Sequence, residues 1–446
     1  EQCGGDQDGW KVDSLDVVGT GHDTMRTAVV RWKATVAGSR RREGGKAKAN
    51  IDQKESVSVV RRSQEEGGKV LSTRTKQPKA NAASGPFLHV SKPLPRVLLL
   101  HTGGTLGMDP DISYNELEGE ATHLKAGTGG HYKTGLQPGA LLQDLLQVVP
   151  ELRVFANMDV KVMFNKDSSR VGPKEWAQLA KELHKMRDVY DAFVVVHGTD
   201  TLPFTASALS LMLAGFGKPI VLTGSQLPLA MPRSDARQNL IDSLTCATAR
   251  FAPPHVNFRE VGVCFGGKLM RGNRSQKVHT NQYMAFDSPT YPSLATLGVE
   301  VEWNERFLLL QHGYSAYRPR FKLDPNVIRI PIVPGTDPRK AYGDLFGRGV
   351  HGVILEAFGV GNMDDRSSQG WIPWLRQQTK KGLSVYLTSQ CTGGELHPEL
   401  YKSGSVAMQM GVESGPQMTV ECAVVKMMLC LAYPDLPLSQ PIAGEL

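Results

Sequence analysis

Two stretches of this sequence place hydroxyl and carboxyl side chains directly after apolar runs. In residues 100–107 (LHTGGTLG), two adjacent glycines permit a tight turn that presents the hydroxyl of Thr105. In residues 196–201 (VHGTDT), a further turn presents Thr199 and Asp200. A threonine hydroxyl is a weak nucleophile until a neighbouring group takes its proton. Either stretch alone is typical of an ordinary turn or a helix cap, but the two together call for a joint explanation as one site.

Both stretches follow runs that read as buried strands. Such runs occupy residues 96–100, 193–196, 219–222, 261–264, 352–355 and 384–387. Helical patterns lie between them; in one, Trp176, Leu179, Leu183 and Met186 step by three and four residues behind Pro173. Strands that alternate with helices predict an α/β fold with parallel sheets. Ligands of such sheets gather at the carboxyl ends of the strands, where both stretches stand.

Composition divides the chain into four segments. We predict a disordered basic tail at 1–92, a larger N-terminal α/β domain at 93–303, a linker at 304–326 and a smaller C-terminal α/β domain at 327–446. The tail shows no sustained periodicity, so it cannot bury enough apolar area to fold. Residues 1–95 hold 17 Lys/Arg and 11 Asp/Glu, against 34 and 33 in the rest. The folded body is therefore nearly neutral, and we expect no nucleic acid as its partner.

Several classes of protein are excluded by what the sequence lacks. No run approaches the ~18 apolar residues that span a bilayer, so we expect no membrane association. The six cysteines form no C-x-x-C pair, and no H-E-x-x-H or P-loop motif is present, so we expect neither a metal nor a cofactor. We predict a cytoplasmic protein. An Arg- and Ser-rich tail leaves organelle targeting open, although its 11 acidic residues argue against a transit peptide.

The two stretches together resemble the signature motifs of the bacterial-type L-asparaginases, with most similarity to the cytoplasmic type I branch. Further matches follow in order at 166–169 (KDSS), 205–213 (TASALSLML), 223–229 (TGSQLPL), 233–235 (RSD), 271–277 (RGNRSQK), 359–362 (GVGN), 388–391 (TSQC) and 418–421 (MTVE). The resemblance covers residues 96–432 and leaves out the tail. It implies hydrolysis of L-asparagine to L-aspartate and ammonia without a cofactor.

The resemblance also implies roles for four residues. Thr105 matches the threonine that is usually taken as the nucleophile. Thr199, Asp200 and Lys277 match a second group, in which the lysine removes the Thr199 proton, directly or through water, and Asp200 orients it. Thr199 is then the activator or the second-step nucleophile. Asp200 is also implied to bind the α-ammonium of the substrate, beside Thr199.

Further residues complete the implied site. Ser168, with Asp167 and Ser169 beside it, matches the loop that binds the α-carboxylate. A tyrosine close to Thr105 is implied to assist the nucleophile; Tyr132 fits this position, with Tyr114 as the open alternative. His101 and His197 precede the motifs, and their places at strand ends favour structural hydrogen bonding.

Assembly and substrate are left with alternatives. In relatives the segment at Asn362 approaches the site of a neighbouring subunit, which predicts a homodimer or homotetramer; a plain loop is the alternative. Arg170 departs from the family pattern, which often has Asp there. The rival functions are an amidotransferase subunit that acts on glutamine with tRNA and a catalytically dead binding protein. The preference between asparagine and glutamine is not predicted.

Overall fold

The computed structural model describes residues 10–18, 29–36, 93–104, 106, 145–309 and 317–446. These fall into two compact units, residues 1–66 and 67–446. The first unit contains an antiparallel hairpin of β1 (Trp10–Val18) and β2 (Val29–Val36). The prediction of a disordered tail did not anticipate this hairpin. Its register shifts between Val12 and Ser14, and such a bulge interrupts the alternation that marks a strand. The other residues of 1–92 lie outside the described ranges.

The second unit contains the remaining strands and the helices. Its strands are β3 (Arg96–His101), β4 (Asn157–Val162), β5 (Ala192–Val196), β6 (Ile220–Thr223), β7 (Val261–Phe265), β8 (Lys268–Arg271), β9 (Gln276–Lys277), β10 (Phe286–Asp287), β11 (Ala295–Leu297), β12 (Val301–Trp303), β13 (Val327–Pro331), β14 (Gly352–Ala357) and β15 (Ser384–Ser389). Its α-helices are α1 (Leu152–Phe155), α2 (Pro173–Met186), α3 (Leu202–Met212), α4 (Ala236–Ala247), α5 (Pro338–Ala341), α6 (Trp371–Lys381), α7 (Lys402–Gln409) and α8 (Val420–Ala432). None of these helices is long and apolar enough to cross a bilayer.

Two sheets organise this unit. The larger has eight strands in the order β12-β11-β8-β7-β6-β5-β3-β4, and the smaller has three in the order β13-β14-β15. The smaller sheet and the run from β4 to β7 are parallel, which confirms the predicted α/β class with a larger and a smaller sheet. The antiparallel edge of β8, β11 and β12 was not predicted, because strands of three or four residues are too short to show a period.

Alternating side chains of the large sheet enter two separate cores. Leu98, Leu100 and Phe193 pack on one side, with helices α2, α3 and α8. Val97, Leu99 and Val194 pack on the other, with α4. Successive residues of a strand point to opposite faces, so these runs are apolar throughout because both faces are covered.

Helix α8 links the two sheets. It packs against α3 of the larger sheet and against β13 and β14 of the smaller one. Its residues Cys422, Val425 and Leu429 are fully buried in the same core as Leu209 of α3 and Ile354 of β14. Helix α3, which follows the second motif, is therefore held in place by packing against a helix from the C-terminal half of the chain.

Candidate active site

The two motifs meet because β3 and β5 are neighbours in the sheet. Thr102 donates to the carbonyl oxygen of Val196 from its backbone N (3.0 Å) and from Oγ1 (2.9 Å). Gly103 and Gly104 have φ of +112° and +91°, which L side chains rarely adopt. A Cβ on Gly104 would lie 2.5 Å from the backbone N of Gly198. Glycine is therefore required here for both conformation and close approach, as the motif predicts.

The turn leads directly to Thr105, which lies outside the described residues, as do Tyr114 and Tyr132. The next residue, Leu106, is buried, and its carbonyl oxygen accepts a hydrogen bond from the backbone N of Leu229 (3.2 Å). The nucleophile and the assisting tyrosine stay predictions.

Lys277 joins the second motif from a distant part of the chain. Its Nζ lies 2.9 Å from Thr199 Oγ1 and 2.6 Å from Asp200 Oδ1. Thr199 is buried, while the Asp200 side chain is 68% exposed and that of Lys277 only 17%. An ammonium can donate to a hydroxyl oxygen, but only the neutral amine has a lone pair to accept its proton. The arrangement can therefore move a proton between Thr199 and Lys277, with Asp200 holding the lysine in place.

The loop at 166–169 reaches the same place through Ser168. That residue is buried, and its carbonyl oxygen accepts from Thr201 Oγ1 at 2.6 Å. A Cβ built on Gly198 would lie 2.8 Å from Ser168 Oγ, so the serine side chain lies against the second motif. The structure thus brings Ser168 together with Thr199 and Asp200.

Its neighbours Asp167 and Ser169 are exposed and are hydrogen-bonded to each other. The Asp167 carboxylate accepts from the backbone N of Ser169 at 2.8 Å and so caps the 3₁₀ helix Ser168–Arg170. Hydrogen bonds from the side chain and backbone of Ser169 lower the pKa of Asp167. This is the capping geometry of a polar loop, and a substrate contact for either residue remains a prediction.

The histidines of the motifs lie inside the fold. His197 is buried, with Nε2 3.0 Å from Thr205 Oγ1 and Nδ1 2.7 Å from the carbonyl oxygen of Gly198. Trp176 Nε1 donates to the same Thr205 oxygen at 3.0 Å. Burial lowers the pKa of His197 and of His101 to about 4, so both rings are neutral near pH 7. These contacts agree with the structural role expected for them.

The buried histidines predict a loss of stability in mild acid. The pKa of His197 is 6.5 unperturbed and about 4 in the fold, so the unfolded chain takes up a proton within that window. The free energy of unfolding is then fully present above about pH 6.5, falls as the pH drops, and levels off below about pH 4. In urea titrations between about pH 7.5 and 5, His197→Gln should lose less stability than wild type, by on the order of 1–2 kcal/mol. If the free energy of unfolding falls equally with decreasing pH in both proteins, the lowered pKa of His197 is contradicted.

A third loop, at residues 223–229, supports the motifs. A Cβ on Gly224 would lie 2.4 Å from the carbonyl oxygen of His197, so this glycine also permits close approach. Asp235 accepts from the backbone N of Gln226 (3.0 Å) and Leu227 (3.1 Å). The carboxylate therefore fixes the loop that follows β6. The aspartate in the RSD stretch was the available signal, but its partner could not be read from the sequence.

Asn362 lies in a tight turn of the C-terminal half. Its Oδ1 accepts from Ser403 Oγ at 2.7 Å, and Phe358 pairs with it across the turn. A contact with a partner subunit stays a prediction. Within the described ranges no group of three or more His, Cys, Asp or Glu side chains is arranged to hold a metal ion.

Family models match both halves of the chain. The model "Asparaginase, N-terminal" matches residues 96–308, and "Glutaminase/Asparaginase C-terminal domain" matches residues 326–437. Together they span more than half of the chain. It belongs to the asparaginase family. This confirms the family predicted from the two motifs and accounts for the second domain as well.

Individual asparaginase relatives cover the folded body. L-asparaginase 1 of Escherichia coli (strain K12) is 31% identical over 358 residues, which is 78% of this chain and 97% of that protein. The 60 kDa lysophospholipase of Mus musculus is 33% identical over 349 residues, 77% of this chain. The chain spans only 60% of that relative's length. The solved thermostable L-asparaginase from Thermococcus kodakarensis superposes with a TM-score of 0.66 at 29% identity, covering 79% of this chain and 99% of the other.

Proposed function

We propose that this protein hydrolyses the side-chain amide of L-asparagine to give L-aspartate and ammonia, with Thr105 as the nucleophile. The proposal rests above all on the contact of Lys277 Nζ with Thr199 Oγ1 (2.9 Å) and Asp200 Oδ1 (2.6 Å), because this trio is built for proton transfer at a hydroxyl. The asparaginase names of the relatives support the substrate class.

In the first step Thr105 Oγ bonds to the amide carbon, and its proton passes to a neighbouring base. The carbonyl oxygen becomes an oxyanion, which we assign to backbone N–H groups near Thr199 and in the turn at Gly103–Thr105. The C–N bond then breaks, and ammonia leaves with a proton. Water attacks the resulting ester, with Thr199 and Lys277 moving its proton, and this releases aspartate and restores the threonine hydroxyl.

Binding of the α-groups follows from charge and exposure. Lys277 contacts one carboxylate oxygen of Asp200, while 68% of that side chain remains accessible to solvent. The carboxylate can therefore bind the α-ammonium of an amino acid. Ser168, buried beside Gly198, supplies a hydroxyl to the α-carboxylate. Both amino acid amides carry these groups, so they do not separate asparagine from glutamine.

The test is ammonia release by the full chain. Asparagine and glutamine should be compared at equal concentration, with a lysophospholipid as a third substrate because one relative carries that name. We expect turnover of asparagine without added cofactor. Turnover that requires tRNA and a partner subunit would favour the amidotransferase, and asparagine binding without turnover would favour the binding protein. Either result would refute the proposal.

A further inference from the structure

The segment that leads into Lys277 is held by hydrogen bonds from its own side chains. Three of these donate to two consecutive carbonyl groups near residue 444. The bonds are Asn273 Nδ2 to Ala443 O (2.9 Å), Arg274 Nε to Gly444 O (3.0 Å) and Arg271 Nη1 to Gly444 O (3.2 Å). The three donors are buried, so each bond is shielded from water. Residues 442–445, here called the 442–445 loop, thus provide the hydrogen-bond acceptors for the 271–274 segment.

A buried ion pair fixes the shape of the 442–445 loop. The Glu445 carboxylate accepts from the backbone N of Ile442 (2.8 Å) and of Ala443 (2.7 Å). Lys426 Nζ lies 2.6 Å from the same carboxylate and also donates to the carbonyl oxygen of Gln440 at 2.6 Å. Neither side chain of the pair has any exposed surface. A buried pair is stable only when its remaining polar atoms are also bonded. The loop's own backbone bonds the Glu445 carboxylate, and the carbonyl oxygen of Gln440, just before the loop, accepts from Lys426.

Gly444 is required for the close approach of the two segments. Its φ is +79°, a value that L side chains rarely adopt. A Cβ at this position would lie 2.8 Å from Arg271 Nη1 and 2.7 Å from Leu309 Cδ2. Any larger residue would therefore strain the backbone at this position and push the Arg271 guanidinium away from the Gly444 carbonyl oxygen.

The strand that carries Lys277 is short. β9 has two residues, and Lys277 pairs with Phe286 of the equally short β10. The 3₁₀ helix Gly272–Arg274 ends one residue before this strand and is buried throughout. A shift of that turn would move the lysine backbone, and a hydrogen bond of 2.9 Å to Thr199 tolerates little displacement.

We propose that the 442–445 loop, held by the Lys426–Glu445 pair, positions Lys277 for proton transfer with Thr199. None of these residues is assigned a contact with the substrate or the reacting atoms, so they are positioning residues and not catalytic ones. The inference rests on the proposed function of Lys277. It adds that residues 442–445, which lie beyond the stretch matched by the second family model, are needed for turnover.

Two variants of the full chain test this proposal. Gly444→Ala introduces the clash, and Asn273→Ala removes one bond without backbone strain. We expect kcat to fall about tenfold or more in each while KM stays within about threefold, since the groups assigned to substrate binding are untouched. The basic limb of the pH–rate profile should also change, because the environment of Lys277 changes.

The matched control is Tyr190→Phe. The Tyr190 hydroxyl donates to Asp159 Oδ2 at 2.9 Å in a buried bond. Tyr190 precedes the first residue of β5, whereas Thr199 follows its last. The Tyr190→Phe substitution should lower the melting temperature without changing kcat. Variants at Gly444 and Asn273 that melt earlier but keep wild-type kcat and pH profile would overturn the proposal. If Gly444→Ala does not fold, Asn273→Ala decides the question.

A failure of the proposed function is distinguishable from a failure of the positioning role. Wild type that releases no ammonia from asparagine or glutamine would refute the function alone. Crystal structures of wild type and Asn273→Ala would then decide the positioning role from the separation of Lys277 Nζ and Thr199 Oγ1. In the variant we expect these two atoms to lie beyond hydrogen-bond distance. An unchanged separation near 2.9 Å would refute the positioning role.

Discussion

Lys277→Met is expected to lower kcat by about 10²–10⁴-fold while KM changes much less. Methionine preserves the length and most of the packing of the side chain but removes the amine that contacts Thr199. Steady-state ammonia release from asparagine measures both constants. Because Lys277 is assigned to proton transfer and not to the α-groups, the loss should lie in the chemical step.

Lys268→Met is the matched control for this variant. Lys268 begins the strand that precedes the same turn, and its Nζ lies 3.4 Å from Asp287 Oδ1, with 40% of the side chain exposed. An exposed pair of this kind contributes at most about 1 kcal/mol, so both kinetic constants should be unchanged. Normal kcat with a greatly raised KM in Lys277→Met would make Lys277 a substrate-binding charge. The proton route would then have to pass through the tyrosine near Thr105.

Thr105→Val is expected to abolish turnover while asparagine still binds. Valine has nearly the same shape as threonine but no hydroxyl to form the ester, and the groups assigned to the α-carboxylate and α-ammonium remain. Binding of asparagine by calorimetry, together with the absence of ammonia release, checks both parts. If the variant keeps more than about one thousandth of the wild-type activity, the role of nucleophile must be assigned to Thr199 instead.

Thr102→Val provides the same substitution within the same motif. Thr102 Oγ1 donates to the carbonyl oxygen of Val196 at 2.9 Å and is buried, so its loss should cost about 1–2 kcal/mol of stability. Because this hydroxyl bonds the backbone and is assigned no role in the reaction, kcat should stay within about threefold of wild type. A loss equal to that of Thr105→Val would mean that the motif is sensitive to any change in packing.

The backbone conformation of the first motif was predictable because turns are local. Gly103 and Gly104 adopt positive φ, and Gly104 lies against Gly198, as two glycines in a tight turn require. Apolar runs predicted the central strands, and their alternation with helices predicted parallel sheets. The strand order that sets β3 beside β5 came from the structure. The family resemblance added Lys277, which neither periodicity nor composition would have selected.

Other features needed the tertiary structure. The hairpin of β1 and β2 has a bulge that hides its period, and the antiparallel edge is built from strands too short to show one. The place of Asp167 beside Ser168 predicts a role at the site, and the structure adds that its carboxylate caps the 3₁₀ helix Ser168–Arg170. A side chain's partner depends on backbone geometry across several residues, which residue types alone do not specify.

By itself the sequence determined the α/β class, the places of the two glycine turns and the position of Thr199 next to Asp200, because each depends on neighbours along the chain. Tertiary structure decided which charges meet. Lys426 interrupts an apolar helix and Glu445 lies in an irregular segment, so neither shows a periodic signal. Their burial together is favourable only because the two segments converge in space, where each charge supplies the partner that water would otherwise provide.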